Sequence, residues 1–183
     1  MNQRPRRIPR PLDASRLEEL ALAYVARFAT SAAKLEAYLA RKLRERGWEG
    51  EEAPPLAALV ARFVVAGYVD DAAFARARSG SLLRRGYGVR RIEQALHAAG
   101  IDEDERKAAR AGAAAQREAA LTLARRRGLG PFGKQAPDRA RREKQIAAML
   151  RAGHALDSAR ELVDAVSEEA ALAWAAARAD EDC

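Results

Sequence analysis

The chain has one cysteine, Cys183, and two histidines, His97 and His154. A lone thiol makes no internal disulfide, which fits a reducing, cytoplasmic setting. Two histidines far apart in sequence cannot supply the ligands of a metal site, so neither metal nor cofactor is expected. Aromatic residues are only 5% of the chain, so its core must come from Ala, Leu, Val and Ile. No run of alternating β-branched residues is present, which argues against strands. No stretch approaches the roughly 20 apolar residues that span a bilayer. The opening MNQRPRRIPRPLDASR has no apolar h-region and does not read as a signal peptide. Ser79, Ser81, Ser158 and Ser167 lie in no nucleophile motif. With no nucleophile, metal cluster or cofactor loop, the sequence reads as a non-enzyme.

What is abundant is Ala and Arg. Ala loses no side-chain entropy in a helix, so long Ala-rich segments with few breakers favour helix. Of the 33 basic residues, 28 are Arg, and the formal net charge is +7. A GC-rich genome raises both Arg and Ala, so the clustering of charge says more than its total. Residues 1–16 hold five Arg against one Asp, and residues 116–154 hold ten bases against three acids. Residues 155–183 hold two bases against eight acids. Basic blocks of this kind suit a polyanion or an acidic protein surface.

Gly47, Gly100 and Gly153 stand at equal intervals of 53 residues. Each closes an apolar-periodic segment, with Leu43, Leu96 or Met149 four residues before it. Regular self-similarity points to tandem repeats, which are usually binding surfaces rather than catalytic pockets. The spacing predicts a helix over 17–28, then a second capped by Thr30 or Ser31, with Leu35, Tyr38, Leu39 and Leu43 inward. Gly47 should end it in a left-handed stop. Pro54-Pro55 opens a third helix with Leu56, Leu59, Val60, Phe63 and Val64 inward, ended by Gly67. Asp70 or Asp71 caps the next helix, which runs to about Arg85 before the Gly86-Tyr87-Gly88 turn. Ile92, Ala95, Leu96 and Ala99 line the following one, and Asp102 with Glu105 resembles a capping box. In the last unit, one helix ends near Gly128 and a second carries Ile146, Met149 and Leu150. Asp157 should cap a third, with Leu162, Val163 and Val166 inward.

The expected fold is all-α: three tandem three-helix repeats in an elongated, curved array. A basic Pro-rich flexible arm (1–16) precedes repeats at 17–68, 69–115 and 116–166. An acidic tail (167–183) follows. Hinges are expected at 67–70 and 113–117, the latter alternatively a continuous helix.

Gly67-Tyr68-Val69-Asp70-Asp71-Ala72-Ala73-Phe74-Ala75 resembles the G-Y-[LIV]-[DN]-D-x-x-[FY]-A motif of the RecX family, regulators of the RecA recombinase. Gly86-Tyr87-Gly88-Val89-Arg90-Arg91-Ile92, with Leu96 and Gly100-Ile101, is similar to that family's R-G-x-G-P-x-R-I segment and its continuation. Val89 stands where the family has Pro. Leu35-Glu36, Leu39, Lys42-Leu43 and Gly47 resemble the first-unit pattern, and Lys144 through His154 the third. The likeness covers roughly residues 17–166 and leaves out the arm and the tail. It implies tandem three-helix repeats that bind the groove of the RecA–DNA filament. It also implies suppression of RecA's recombinase, ATPase and co-protease activities, in DNA repair and the SOS response.

Several features are read more plainly. Asp70-Asp71 are caps rather than a metal pair, and Gly86-x-Gly88 without a preceding strand is a turn rather than a phosphate loop. Tyr68 and Phe74 are packing residues. Gly67, Gly86, Gly88, Ile92, Leu96 and Gly100 are structural motif positions. Trp174 either folds back on the last unit or stands exposed. The binding candidates are Arg84, Arg85, Arg90 and Arg91 around the turn, then Arg125, Arg126, Arg127, Arg139, Arg141, Arg142 and Lys144 as a basic rim. The expected partners are the RecA filament and single- or double-stranded DNA, with no membrane and a monomeric protein. The competing reading is a helix-turn-helix-like transcriptional regulator that binds DNA directly.

Overall fold

A computed structural model describes residues 10–135 and 137–177. Among the described residues the chain is helical, with one isolated parallel bridge between Leu12 and Trp48. The helices are α1 (Ala14–Val25), α2 (Ala32–Arg46), α3 (Leu56–Val65), α4 (Asp71–Arg84) and α5 (Val89–His97). They continue with α6 (Glu103–Ala108), α7 (Ala113–Arg127), α8 (Arg139–Arg151), α9 (Leu156–Val163) and α10 (Glu168–Ala176). A 3-10 turn, Gly130–Phe132, lies between α7 and α8. In chain order α1–α3, α4–α6 and α7–α9 are three helix triplets, and α10 is added to them. Contacts divide the chain into two compact units, one through Phe74 and one from Ala75 onward.

In the first unit, α1 starts at Ala14 and ends at Val25, earlier than the periodicity suggests. Asp13 is the reason: its Oδ1 accepts the Arg16 N–H at 2.8 Å and satisfies a donor the helix start leaves open. Within 10–16, the stretch expected to belong to a flexible arm, Leu12 is fully buried. Its N–H donates to Gly47 O at 3.0 Å and its carbonyl accepts from Glu49 N at 2.9 Å. Residues 1–9 of that arm lie outside the described residues. Ser31, rather than Thr30, caps α2 by accepting the Lys34 N–H. Leu17, Ala21, Leu35, Leu39, Leu59, Val60, Phe63 and Val69 form the core. Val64 is a correction: it sits at the end of α3 and is exposed rather than inward.

Gly47 differs from its two equally spaced partners. Its φ of 85° and ψ of 172° are not left-handed helical but lie in a region essentially confined to glycine. That geometry turns the chain into the Leu12 bridge. Gly100 and Gly153 instead close Schellman caps. Ile101 N donates to Leu96 O, and His154 N donates to Met149 O. The same cap recurs at Gly67, Gly86 and Gly128, where Tyr68 N, Tyr87 N and Leu129 N reach back to Phe63 O, Leu82 O and Ala124 O.

In the second unit α7 is central, burying Ala119, Ala120, Leu121, Leu123 and Ala124. It is helical from Ala113, so 113–117 is continuous helix rather than a hinge. Helix α8 is capped by Asp138, whose Oδ1 accepts the Arg141 N–H at 2.7 Å. Two expectations fail in α9. Ala155 is its N-cap, and Asp157 sits inside the first turn, where its charge still suits the positive helix end. Val166 lies beyond the helix and is 94% exposed. Residues 168–176, expected in an acidic tail, form α10 and bury Ala171 and Ala175. Trp174 folds back against the same core. Residues 178–183, including Cys183, lie outside the described residues.

Candidate functional site

Two helix stripes face each other across the Gly86–Gly88 turn. On the α4 side stand Arg78, Leu82 and Arg85, and on α5 stand Arg91, Gln94, Ala95 and Ala98; Tyr87 lies between them. Spacings of three, four and seven residues place each set on one helix face. Together they line a cleft of about 290 Å³. The small side chains of Ala95 and Ala98 keep it open. Leu82 is buried beneath, while Arg78, Arg85 and Arg91 are exposed. The Arg85 guanidinium carbon lies 5.3 Å from the centre of the Tyr87 ring, within cation–π range.

Among the described residues no carboxylate lines this cleft. The acidic residue of α5, Glu93, is bound to Arg106 at 3.0 Å. The acidic residue of α4, Asp71, is at the opposite end of that helix and accepts the Ala32 N–H at 2.8 Å. Among the described residues, the side chains of Arg78, Arg85 and Arg91 make neither a hydrogen bond nor an ion pair. The site is an open, unneutralised cluster of guanidinium forks, suited to a phosphate or carboxylate. Of the candidates read from the sequence, Arg85 and Arg91 share the cleft, whereas Arg84 and Arg90 are exposed outside its lining. Arg78 and Gln94 were missed. A search for adjacent charges overlooks Arg78, but its seven-residue spacing to Arg85 is the signal that finds it.

The cleft rests on a tight backbone junction. Gly88 N donates to Ala152 O at 2.9 Å and Arg90 N donates to Gly153 O at 3.1 Å. Open carbonyls at the C-terminal end of α8 thus meet open N–H groups at the start of α5. A Cβ on Gly88 would collide with the Gly153 carbonyl, and one on Gly86 would lie 2.9 Å from Leu123 N. His154 is 4% exposed, and its Nε2 lies 3.1 Å from Gly86 O. Burial holds its pKa below the ordinary imidazole value, outweighing the carbonyl contact that favours a protonated ring.

The second basic group is less uniform than the sequence suggests. Arg142 is taken: its Nε and Nη2 each lie 2.5 Å from the Asp164 carboxylate, and its Nη1 lies 2.9 Å from Glu143. The Asp164 carboxyl is accordingly held below its usual range, chiefly by the hydrogen bond from Arg142. Arg125 lies over the Phe132 ring at 5.7 Å. Arg126, Arg127, Arg139, Arg141 and Lys144 are exposed, and their side chains make no ion pair among the described residues. A buried amide escaped sequence reading: Gln145 Oε1 accepts the Gly130 N–H at 2.9 Å and pins the loop after α7.

The remaining motif residues hold the frame. Asp70 caps α4 by accepting the Ala73 N–H at 2.7 Å, while Asp71 caps α2. The pair are caps, for two different helices. Phe74 is half-buried with Lys34 Nζ 5.3 Å from its ring centre. Tyr68 packs against Phe63 at 5.4 Å yet is 58% exposed, more than a packing residue should be. His97 is exposed and His154 is buried in the junction, so the two serve no common site. Among the described residues no group of three His, Cys, Asp or Glu could hold a metal, and no helix is long and apolar enough to cross a membrane.

These features define an α-helical repeat protein that carries an open arginine cleft. Residues 70–109 match the family model described as RecX, second three-helix domain. The Regulatory protein RecX of Myxococcus xanthus (strain DK1622) is 31% identical over 165 residues, spanning 85% of this chain and 88% of that protein. The fold is shared with the crystal structure of RecX from Lactobacillus salivarius, at a TM-score of 0.65 and 18% identity, covering 82% of this chain and 94% of that one. A crystal structure of regulatory protein RecX gives 0.62 at 21% identity, covering 82% and 70%. The chain belongs to the RecX family of regulatory proteins.

Proposed function

We propose that this chain is a non-enzymatic regulator that binds the RecA–DNA filament. It lowers RecA's recombinase, ATPase and co-protease activities, and so modulates DNA repair and the SOS response. The observation that carries this reading is kinship with a protein named Regulatory protein RecX over 85% of the chain. The arginine cleft supports it, because a filament of protein and DNA presents phosphates and carboxylates to bidentate donors. The monomer acts in the cytoplasm, with the repeats at 17–68, 69–115 and 116–166 as its successive contact modules.

The test is RecA's single-strand-dependent ATPase, titrated with substoichiometric amounts of this protein at two salt concentrations. Inhibition should set in well below one copy per RecA and weaken at the higher salt, as Arg–anion contacts are screened. A folded protein that leaves ATPase unchanged at every ratio would reject the proposal.

A further inference from the structure

We infer that the cleft between α4 and α5 seats a phosphodiester of single-stranded DNA, with the adjacent base against the Tyr87 ring. The inference rests on the filament reading only in taking a DNA strand as the physiological polyanion. Its physical basis is separate. Arg78, Arg85 and Arg91 converge on about 290 Å³ with no lining carboxylate among the described residues. Each guanidinium offers several N–H donors, and none of the three spends them on another side chain. Such a cluster repels itself when empty and is relieved by an anion.

A phosphodiester fits better than an acidic peptide. The Arg85 guanidinium carbon lies 5.3 Å from the centre of the half-buried Tyr87 ring, so an aromatic ring stands beside the phosphate donors. Unpaired bases stack on aromatic rings and on guanidinium planes, whereas a carboxylate side chain gains nothing from such a surface. A duplex gains only the phosphate contact, because its bases are already stacked. Gln94 adds an amide to the same wall.

The experiment measures anisotropy of a labelled oligothymidylate of about 16 nucleotides, at about 50 and 200 mM salt. It compares the wild type with R78A/R91A, R84A/R90A and Tyr87→Leu, each shown folded by circular dichroism. The two double variants remove equal charge from the same region, but only the first removes arginines of the cleft, leaving Arg85 alone there. R78A/R91A should weaken binding roughly tenfold or more. It should also reduce the salt slope by about 1.4, from about 0.7 per lost phosphate contact. R84A/R90A should weaken it by less than about threefold. Tyr87→Leu should weaken single-strand binding and spare duplex binding.

Equal losses in the two double variants would overturn the inference in favour of a diffuse basic field. So would polyglutamate displacing the strand while Tyr87→Leu binds normally, which would mark an acidic peptide site. The ATPase titration separates this from the filament reading. A wild type that binds the strand through the cleft but never inhibits RecA sinks the filament role and leaves the cleft standing. A wild type that inhibits RecA but binds no free strand does the reverse.

Discussion

Gly88→Ala should unfasten the junction beneath the cleft. Gly88 has φ −84° and ψ 170°, which any residue can adopt, so the backbone itself does not object. The cost is steric. A new Cβ would overlap the Gly153 carbonyl and His154 N, all backbone atoms that cannot rotate aside. Relief requires the two turns to part, stretching Gly88 N to Ala152 O, Arg90 N to Gly153 O and the His154 contact to Gly86. At about 0.5–1.5 kcal/mol net for each bond, that is about 1.5–4.5 kcal/mol. Overpacking adds about 1–3 kcal/mol. The total, about 2.5–7.5 kcal/mol, is a large share of a domain's usual ~5–15 kcal/mol. Trp174 packs in the second unit and Trp48 in the first, so Trp174 emission in a Trp48→Phe background reports the right unit. Urea titration should show the transition shifted down by that amount. Gly112→Ser is the control: a Cβ there meets nothing within 4 Å and serine is a good N-cap, so stability should change by less than about 0.5 kcal/mol. A loss below about 1 kcal/mol for Gly88→Ala would refute the interlocked junction.

Three further outcomes follow from individual side chains. His154 has a depressed folded pKa, so its contribution is fully present above the unfolded value of about 6.5 and is lost as pH falls below it. The Trp174-reported transition should therefore weaken from pH 7 toward pH 5, and His154→Gln should flatten that dependence. Asp164→Asn frees Arg142, so affinity for a DNA strand and its salt slope should both rise in anisotropy, with little change in melting temperature. Asp71→Ala takes the acceptor from the Ala32 N–H at the start of α2, leaving the Ser31 cap, and should cost about 1.5–3 kcal/mol by Trp48-monitored urea melting, against about 0.5–2 kcal/mol for Asp70→Ala. Asp71→Asn, which keeps the acceptor, should recover part of the loss.

Where a local rule operates alone, the sequence announces the fold. Leu35 and Leu39, or Ile92 and Leu96, recur at helical spacing and are buried. Glycine marks helix ends because a positive φ is cheap only there. The failures are equally physical. Asp13 lies in a Pro-rich stretch that reads as loop, yet one carboxylate acceptor two residues past Pro11 is enough to start α1 early. Gly47 and Gly100 share an interval but not a conformation, because the residue after Gly47 pairs with Leu12, a contact 36 residues back that no local pattern records. Val166 has the right character at the right spacing, but α9 has already ended at Val163.

The charged residues show why a basic run and a binding site are different things. Charge is counted along the chain, whereas a site is assembled across helix faces. Arg84 and Arg85 are neighbours in sequence but about 100° apart around a helix, so only one of them reaches the cleft. Arg91 belongs with Arg78 because the Gly86–Gly88 turn lays α5 alongside the end of α4, and the start of α5 is held by the Ala152 and Gly153 carbonyls just past α8, far along the chain. Arg142 shows the converse. It lies four residues before buried Ile146, which turns it toward the rim of the core, where Asp164 neutralises it. Arg141 and Lys144, a turn apart on another face, stay free. The sequence thus names the arginines that could bind an anion, but partner carboxylates supplied by tertiary contacts decide which do. Convergence of three arginines on one cleft without a lining carboxylate among the described residues, more than the number of arginines, is what distinguishes the α4–α5 cleft from the rest of this basic surface.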